Sequence, residues 1–392
     1  MKSQYSKARR RFIQSIRYCI NALFVKNRRK LFFESFPDYS DNSRAFSDFL
    51  FTHGYTAKYR IYWAVDSLPD ITDERIHFVL KKDRLRYIYH TITSFYLFST
   101  HGAFSWCNPH LQKYVCFWHG TMLKRICQMR NPDDTDYLRQ AWKFVAPSNY
   151  YVKYFSLSFG RNEDEILPLG YPRCDLLFQS NDSLLHLGID VQGKTKIVVY
   201  MPTFRQPVGG GYTDSTKNVF EEDFIKFSDS TSIEKWNTFF KKRNIILIVK
   251  PHPSDKNAVR CDEKYKNIRI ITSDKLQQNN VQLYSLLANA DALVTDFSSV
   301  YCDFLLLDRP IGFVVTDIEE YGHGRGFVFD NPLDYMPGSI ISTENEFVDF
   351  FDKLNIGQDL TKEKRDKLRL VFNQYQGGNN CKRIAEAIGL CK

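Results

Sequence analysis

The sequence predicts an α/β protein of two doubly wound Rossmann-type domains facing a cleft, preceded by a basic amphipathic helix. Three observations lead there. The chain has 392 residues, past the roughly 250–300 at which one hydrophobic core stops growing. After Lys30, short β-branched or aromatic runs alternate with helix-length amphipathic stretches, the pattern of parallel-sheet units. Polar and cationic residues recur just after those runs, where such sheets place their ligands.

Residues 1–29 read as a separate element. Phe12, Ile16, Ile20, Leu23 and Phe24 fall near one helical face between two basic clusters, which suits either an anionic membrane surface or an apolar stripe packed on the body. The first domain spans residues 30–185. Its strand candidates are Leu31 to Ser35, Tyr59 to Val65, Tyr96 to His101, Tyr114 to Trp118, Phe144 to Pro147 and Ile166 to Leu169. A polar stretch between Asp175 and Lys196 reads as a linker with one short helix. The second domain, residues 190–392, has strands Ile197 to Met201, Ile245 to Lys250, Ile268 to Thr272, Ala292 to Thr295 and Ile311 to Val315. Its last helix, Cys381 to Leu390, is a candidate to cross back onto the first domain.

Bulk properties narrow the function. A net charge of +9 favours anionic partners. The basic residues concentrate at the N-terminus and form no aromatic-interleaved platform, which argues against nucleic acid. The 9 Cys form no CxxC pair and no zinc-like cluster, as in a reduced cytoplasmic protein. No apolar run reaches the ~20 residues of a membrane-spanning helix, so the expected location is cytoplasmic, peripheral on the inner face of the cell membrane.

The strand ends carry the chemistry. Tyr114 to Trp118 runs into His119-Gly120-Thr121, where Gly permits a tight turn and Thr is suited to cap a following helix. His119 there is a candidate base, or a hydrogen-bond donor to a phosphoryl oxygen. Ile245 to Val249 runs into Lys250-Pro251-His252-Pro253, whose prolines hold the imidazole in one orientation. Thr295-Asp296 leads to Ser298 and Ser299 at a helix start, a phosphate-binding arrangement. Arg173 and Arg205, the latter after Pro202-Thr203, offer guanidinium forks for phosphate, or for a carboxylate such as Asp175 in the case of Arg173. Asp134-Thr135-Asp136 sits in a polar loop with no strand before it, so no metal is expected. The run Gly209-Gly210-Gly211 lacks a preceding strand and reads as a loop over the cleft.

In order along the chain, these blocks are Phe33-Glu34-Ser35-Phe36, Tyr39-Ser40-Asp41-Asn42-Ser43-Arg44, Trp118-His119-Gly120-Thr121 with Leu123-Lys124, and Pro147-Ser148. They continue with Gly170 to Asp175, Tyr200 to Arg205, Pro251-His252-Pro253, Thr295 to Val300, Arg309-Pro310, Tyr321, Arg325-Gly326-Phe327 and Pro337-Gly338. Taken together, the series resembles the CDP-glycerol glycerophosphotransferase family of teichoic acid and capsule polymer enzymes, through most of the chain. The resemblance implies a GT-B-like pair of domains, no metal or other cofactor, and a CDP-glycerol or CDP-ribitol donor. It also implies release of CMP, a lipid-linked saccharide or growing polymer as acceptor, and an acceptor-side domain at residues 30–185 with donor binding by residues 190–392. By the same resemblance His119 and His252 are the two histidines needed for activity, with Ser298, Ser299 and Arg325 near the donor diphosphate. Gly120, Thr121, Arg173, Thr203, Arg205, Pro253, Thr295 and Asp296 complete the expected donor site. Gln206 and Gln376-Gly377-Gly378-Asn379 depart from the family pattern and bear on donor or acceptor identity. The chain length leans towards members that add the first glycerol phosphate. The rival readings are a nucleotide-sugar glycosyltransferase of the same architecture and a non-catalytic nucleotide-binding module.

Overall fold

The computed structural model describes residues 2–70, 73–132, 138–203, 219–252, 261–262, 264–324 and 326–392. Asp134-Thr135-Asp136 and Gly209-Gly210-Gly211 lie outside them. The chain divides into two units: unit 1 is Met1–His119, Cys127–Asp175 and Gly377–Lys392, and unit 2 is Gly120–Ile126 and Leu176–Gln376.

Unit 1 is built on strands β1 (Asn27–Glu34), β2 (Arg60–Val65), β3 (Ile76–Leu80), β4 (Ser94–Ser99), β5 (Lys113–Cys116), β6 (Lys143–Val145) and β7 (Ile166–Leu167). They form one sheet of order β3-β2-β1-β4-β5-β6-β7, with every pairing parallel. The order reverses between β1 and β4, and ligands in doubly wound sheets sit at that point, beyond the carboxyl ends. Much of the chain's aromatic content is core: Phe33 on β1 stacks between Trp63 at 5.3 Å and Phe98 at 4.7 Å. The C-terminal helix Asn380–Ala387 belongs to this unit because Asp175 accepts its first amides, from Asn380 at 2.8 Å and Cys381 at 2.9 Å.

Unit 2 repeats the plan with β8 (Lys196–Met201), β9 (Ile245–Val249), β10 (Ile268–Ile270), β11 (Ala292–Thr295), β12 (Ile311–Val314) and β13 (Ser339–Ile341). The order is β10-β9-β8-β11-β12-β13, again with parallel pairings and a reversal, here between β8 and β11. The sequence Ile-Ile-Leu-Ile-Val of β9 has no alternation and is buried throughout, as befits a strand covered on both faces. Trp236 and Phe240 of helix Ser230–Lys242 and Phe351 of helix Glu344–Asn355 pack within its core.

Two edge strands, β3 and β13, went unforeseen; β13 has three residues and β3 is only partly buried, so neither presents a strong apolar run. At the N-terminus, helix Lys2–Ala22 leads to a strand that begins at Asn27, so residues 27–29 join the sheet instead of the basic segment. The helix meets unit 1 through polar groups: Gln14 donates to the Ser105 carbonyl at 3.0 Å, and Asn21 donates to the Trp106 carbonyl at 2.8 Å and to Gln112 at 2.7 Å. Phe12, Ile16, Ile20, Leu23 and Phe24 stay exposed, so these apolar residues do not pack on the body. Among the described residues no helix is long and apolar enough to cross a membrane.

Candidate active site

At the carboxyl end of β5 the chain passes through Phe117 and Trp118 to His119. Trp118 has φ +57°, a left-handed conformation that is strained for a bulky residue. Its carbonyl accepts a hydrogen bond from Asn42 Nδ2 at 3.0 Å, which holds the turn and directs the next side chain. The His119 ring keeps an accessible edge and packs against the indole of Trp118, centroids 3.9 Å apart. His119 Nδ1 lies 3.0 Å from the carbonyl oxygen of Thr100, just beyond β4. A carbonyl only accepts, so Nδ1 carries the proton, and in the neutral ring Nε2 keeps its lone pair. The protein around the ring disfavours its charged form and lowers its pKa from the ordinary 6.5; the Thr100 carbonyl and Asp41 oppose this, while Arg173 and His101 add to it.

Arg173 is nearly buried here, and its fork serves the protein. NH1 donates to both oxygens of Asp41, at 2.8 and 3.0 Å, and to the carbonyl of His119 at 3.1 Å. The Arg173 amide donates to Asn42 Oδ1 at 3.1 Å. The expected carboxylate partner, Asp175, is instead committed to the amides of Asn380 and Cys381. Arg173 is thus a group that holds the His119 turn. The sequence left a phosphate contact and a carboxylate pairing both open for Arg173; the carboxylate it meets is Asp41, 132 positions away in the chain, and not Asp175. Asp41 also has positive φ, of 58°, so two strained non-glycine residues meet in one hydrogen-bonded cluster. Gly170, ahead of Arg173, has φ +80°, and a Cβ there would lie 2.5 Å from Asn380 Oδ1, so only glycine fits.

Gly120 and Thr121 do not start a helix. They open a segment that pairs within unit 2 through an antiparallel bridge between Lys124 and Phe327, and Thr121 is buried, its hydroxyl acting on Cys302. In unit 2 the ends of the switch-point strands are tied together. Thr295 donates to the Met201 carbonyl at 2.6 Å. Buried Asp296 accepts from the Thr203 amide at 2.8 and 3.0 Å and from its hydroxyl. Asp296 and Thr203 therefore serve to fix this edge. Ser298 and Ser299 follow, partly exposed, and Ser299 is the N-cap of helix Val300–Phe304 without a side-chain capping bond.

On the neighbouring strand, Lys250 ends β9, its amide donating to the Tyr200 carbonyl at 2.9 Å. Its buried ammonium donates to the Pro251 carbonyl at 2.8 Å and to Ser273 at 3.0 Å. Burial lowers the Lys250 pKa to about 8, against a small opposing effect of Asp274. His252 follows with an exposed side chain. Arg205, Pro253 and Arg325 lie outside the described residues. The structure thus places His119 with Arg173 in unit 1, and Thr203, Thr295, Asp296, Ser298, Ser299 and His252 along the carboxyl edge of the unit 2 sheet. Sequence reasoning missed Asp41, Asn42 and Thr100 as parts of the His119 setting; a buried arginine's need for a carboxylate was the one signal available for Asp41. Among the described residues no three His, Cys, Asp or Glu side chains gather as metal ligands would.

Two parallel sheets of Rossmann order, with polar carboxyl ends, define a GT-B-like α/β transferase fold. A solved structure of the wall teichoic acid polymerase TagF superimposes with a TM-score of 0.73 at 22% identity, over 93% of this chain and 89% of that one. The chain belongs to the CDP-glycerol:poly(glycerophosphate) glycerophosphotransferase family, whose pattern matches residues 16–390, and it is by that membership a CDP-glycerol-dependent transferase. It is 26% identical to a teichoic acid poly(glycerol phosphate) polymerase of Bacillus spizizenii, over 96% of both chains. It is also 26% identical to a teichoic acid glycerol-phosphate transferase of Staphylococcus aureus, over 93% of this chain and 94% of that one.

Proposed function

We propose that the chain moves glycerol phosphate from CDP-glycerol to a terminal hydroxyl of a lipid-linked saccharide or growing polymer in teichoic acid synthesis, with His119 as the general base. The observation that carries this reading is the hydrogen bond from His119 Nδ1 to the Thr100 carbonyl, which leaves Nε2 as the basic atom. In the step itself, Nε2 takes the proton of the acceptor hydroxyl as its oxygen attacks the β-phosphorus. The bond from that phosphorus to the bridging oxygen breaks, and CMP leaves with the electron pair. The proton rests on His119 until it passes to solvent.

Charge developing on the phosphate of the departing CMP is met by His252 and by Ser298 and Ser299. Pre-aimed donors of this kind contribute most where charge develops. A screen of CDP-glycerol, CDP-ribitol, CMP-sialic acid and UDP-sugars, read as acceptor-dependent nucleotide release, tests the donor. Release of CMP from CDP-glycerol supports the reading, and turnover with a UDP-sugar alone overturns it.

The same reading places the enzyme on an anionic membrane surface. Exposed Phe12, Ile16 and Leu23 share the N-terminal segment with exposed Arg9, Arg10 and Arg11, while Gln14 and Asn21 face the protein. Apolar insertion and attraction of about 1 kcal/mol per basic residue then act together. Co-sedimentation with anionic but not neutral vesicles, lost in an Ile16→Ser/Leu23→Ser variant, is the expected result; equal binding to both vesicle types would count against it.

A further inference from the structure

The polar groups beyond β1 and β4 form a chain that ends on His119. Glu34 closes β1, with its side chain 9% exposed. Its Oε2 accepts a hydrogen bond from the Tyr87 hydroxyl at 2.7 Å, and its Oε1 lies 3.7 Å from Nε2 of His101. The other ring nitrogen, His101 Nδ1, is 3.4 Å from the Thr100 hydroxyl. That hydroxyl also accepts from the Phe36 amide at 3.1 Å. The His101 carbonyl is held by the hydroxyls of Ser99 and Tyr114, at 2.5 and 2.9 Å. Thr100 is therefore gripped through its side chain by His101, while its carbonyl grips His119.

We propose that Glu34 and His101 are positioning residues for the transfer: the pair fixes Thr100 so that its carbonyl keeps His119 in the Nδ1–H tautomer. This rests on His119 being the base. The pair acts through Thr100, since both imidazole nitrogens of His101 already face protein groups. It also acts through charge. Facing His119 are Asp41, which favours its protonated form, and Arg173 and His101, which disfavour it. His101 is faced by Glu34, and Glu34 in turn by Tyr87 and Lys81. Burial is the largest influence that holds His119 neutral, with Arg173 and His101 adding to it; removing the His101 ring deletes the last of these, so His119 then protonates at higher pH.

The test uses the full-length enzyme and three variants, His101→Asn, Glu34→Gln and Thr100→Val, beside His119→Asn. Acceptor-dependent CMP release is followed against pH, and long-range proton–nitrogen NMR of the imidazoles reads the tautomer. His101→Asn is expected to lower kcat roughly 10-fold, with KM for CDP-glycerol within about 2-fold of wild type. Its acid limb moves to higher pH and its His119 Nδ1–H signal weakens. Glu34→Gln, which can still accept from Tyr87, loses kcat to a similar degree and carries the test should His101→Asn fail to fold. Thr100→Val keeps the carbonyl but removes the hydroxyl through which His101 holds it, and is expected to lose kcat to a similar degree. Folded His101→Asn and Glu34→Gln enzymes with wild-type kcat, pH profile and Nδ1–H signal overturn the inference. If His119→Asn is inactive in that case, the base assignment survives; if His119→Asn is active, the underlying reading itself fails.

Discussion

Asn42 Nδ2 donates to the carbonyl of Trp118 at 3.0 Å, and through this bond the turn that follows β1 holds the turn that follows β5. Asn42 Oδ1 accepts from the Arg173 amide, and the Arg173 guanidinium bridges Asp41 and the His119 carbonyl. His119 is thus anchored from three segments of sequence, and its side chain never has to search for its orientation.

The first consequence concerns Arg173. Replacing it with Ala removes one partner of a pair whose side chains are 6% and 15% exposed, and should cost about 3–5 kcal/mol of stability. Arg173→Lys should fold but lose the fixed planar geometry in which one guanidinium nitrogen meets Asp41 and the His119 carbonyl together, lowering kcat about 10-fold with little change in CMP affinity. Unfolding midpoints and CMP titration check this; a Lys variant that loses CMP binding instead would mark Arg173 as a donor contact.

Acidification should depress activity through His119. Its folded pKa lies below 6.5, so the neutral, basic ring is fully present above 6.5 and is lost as pH falls through the lowered value. The acid limb of kcat/KM is therefore expected below pH 6.5, measured with CDP-glycerol under saturating acceptor. A limb centred above 6.5 would contradict the assignment.

Asp296→Asn should loosen the switch-point edge of unit 2. The carboxylate loses charge-assisted bonds from Thr203, worth roughly 1.5–3 kcal/mol, and the strand end after β8 is freed. KM for CDP-glycerol is expected to rise more than kcat falls; steady-state kinetics distinguish this from a global stability loss.

Two buried lysines should make stability rise with pH. Lys30 and Lys250 both have folded pKa values lowered to about 8 from 10.5 by burial, so each folded ammonium is unfavourable below pH 8. The unfolded chain binds more protons between those values, and stability climbs across that window by roughly 3 kcal/mol per lysine. Urea midpoints measured from pH 7.5 to 9.5 should show the slope, and Lys250→Met should reduce it. Lys30, which donates to Thr93 at 2.8 Å, accounts for the remainder.

Much of this was legible in the chain. Every strand proposed from an apolar run exists, because central parallel strands such as β9 carry runs that mark themselves. The edge strands β3 and β13 were invisible, since an edge needs few buried residues to pair. The His119 turn was readable from Gly120 beside an apolar run, but Thr121 was misread as a helix cap because its segment pairs with Phe327, some 200 positions on. Asp41 as the partner of Arg173 could not be seen from the neighbourhood of either, for the pairing is made by the fold. Asp296 was placed at the correct strand end, yet its partner, the Thr203 amide, is a backbone group that no side-chain pattern announces.

The most direct measurement is the rate of acceptor-dependent CMP release from CDP-glycerol by His119→Asn, alongside CMP affinity for the same variant. The account predicts a fall in kcat of about 10²–10⁴-fold with CMP bound as tightly as by the wild-type enzyme. A variant that turns over at the wild-type rate would contradict it.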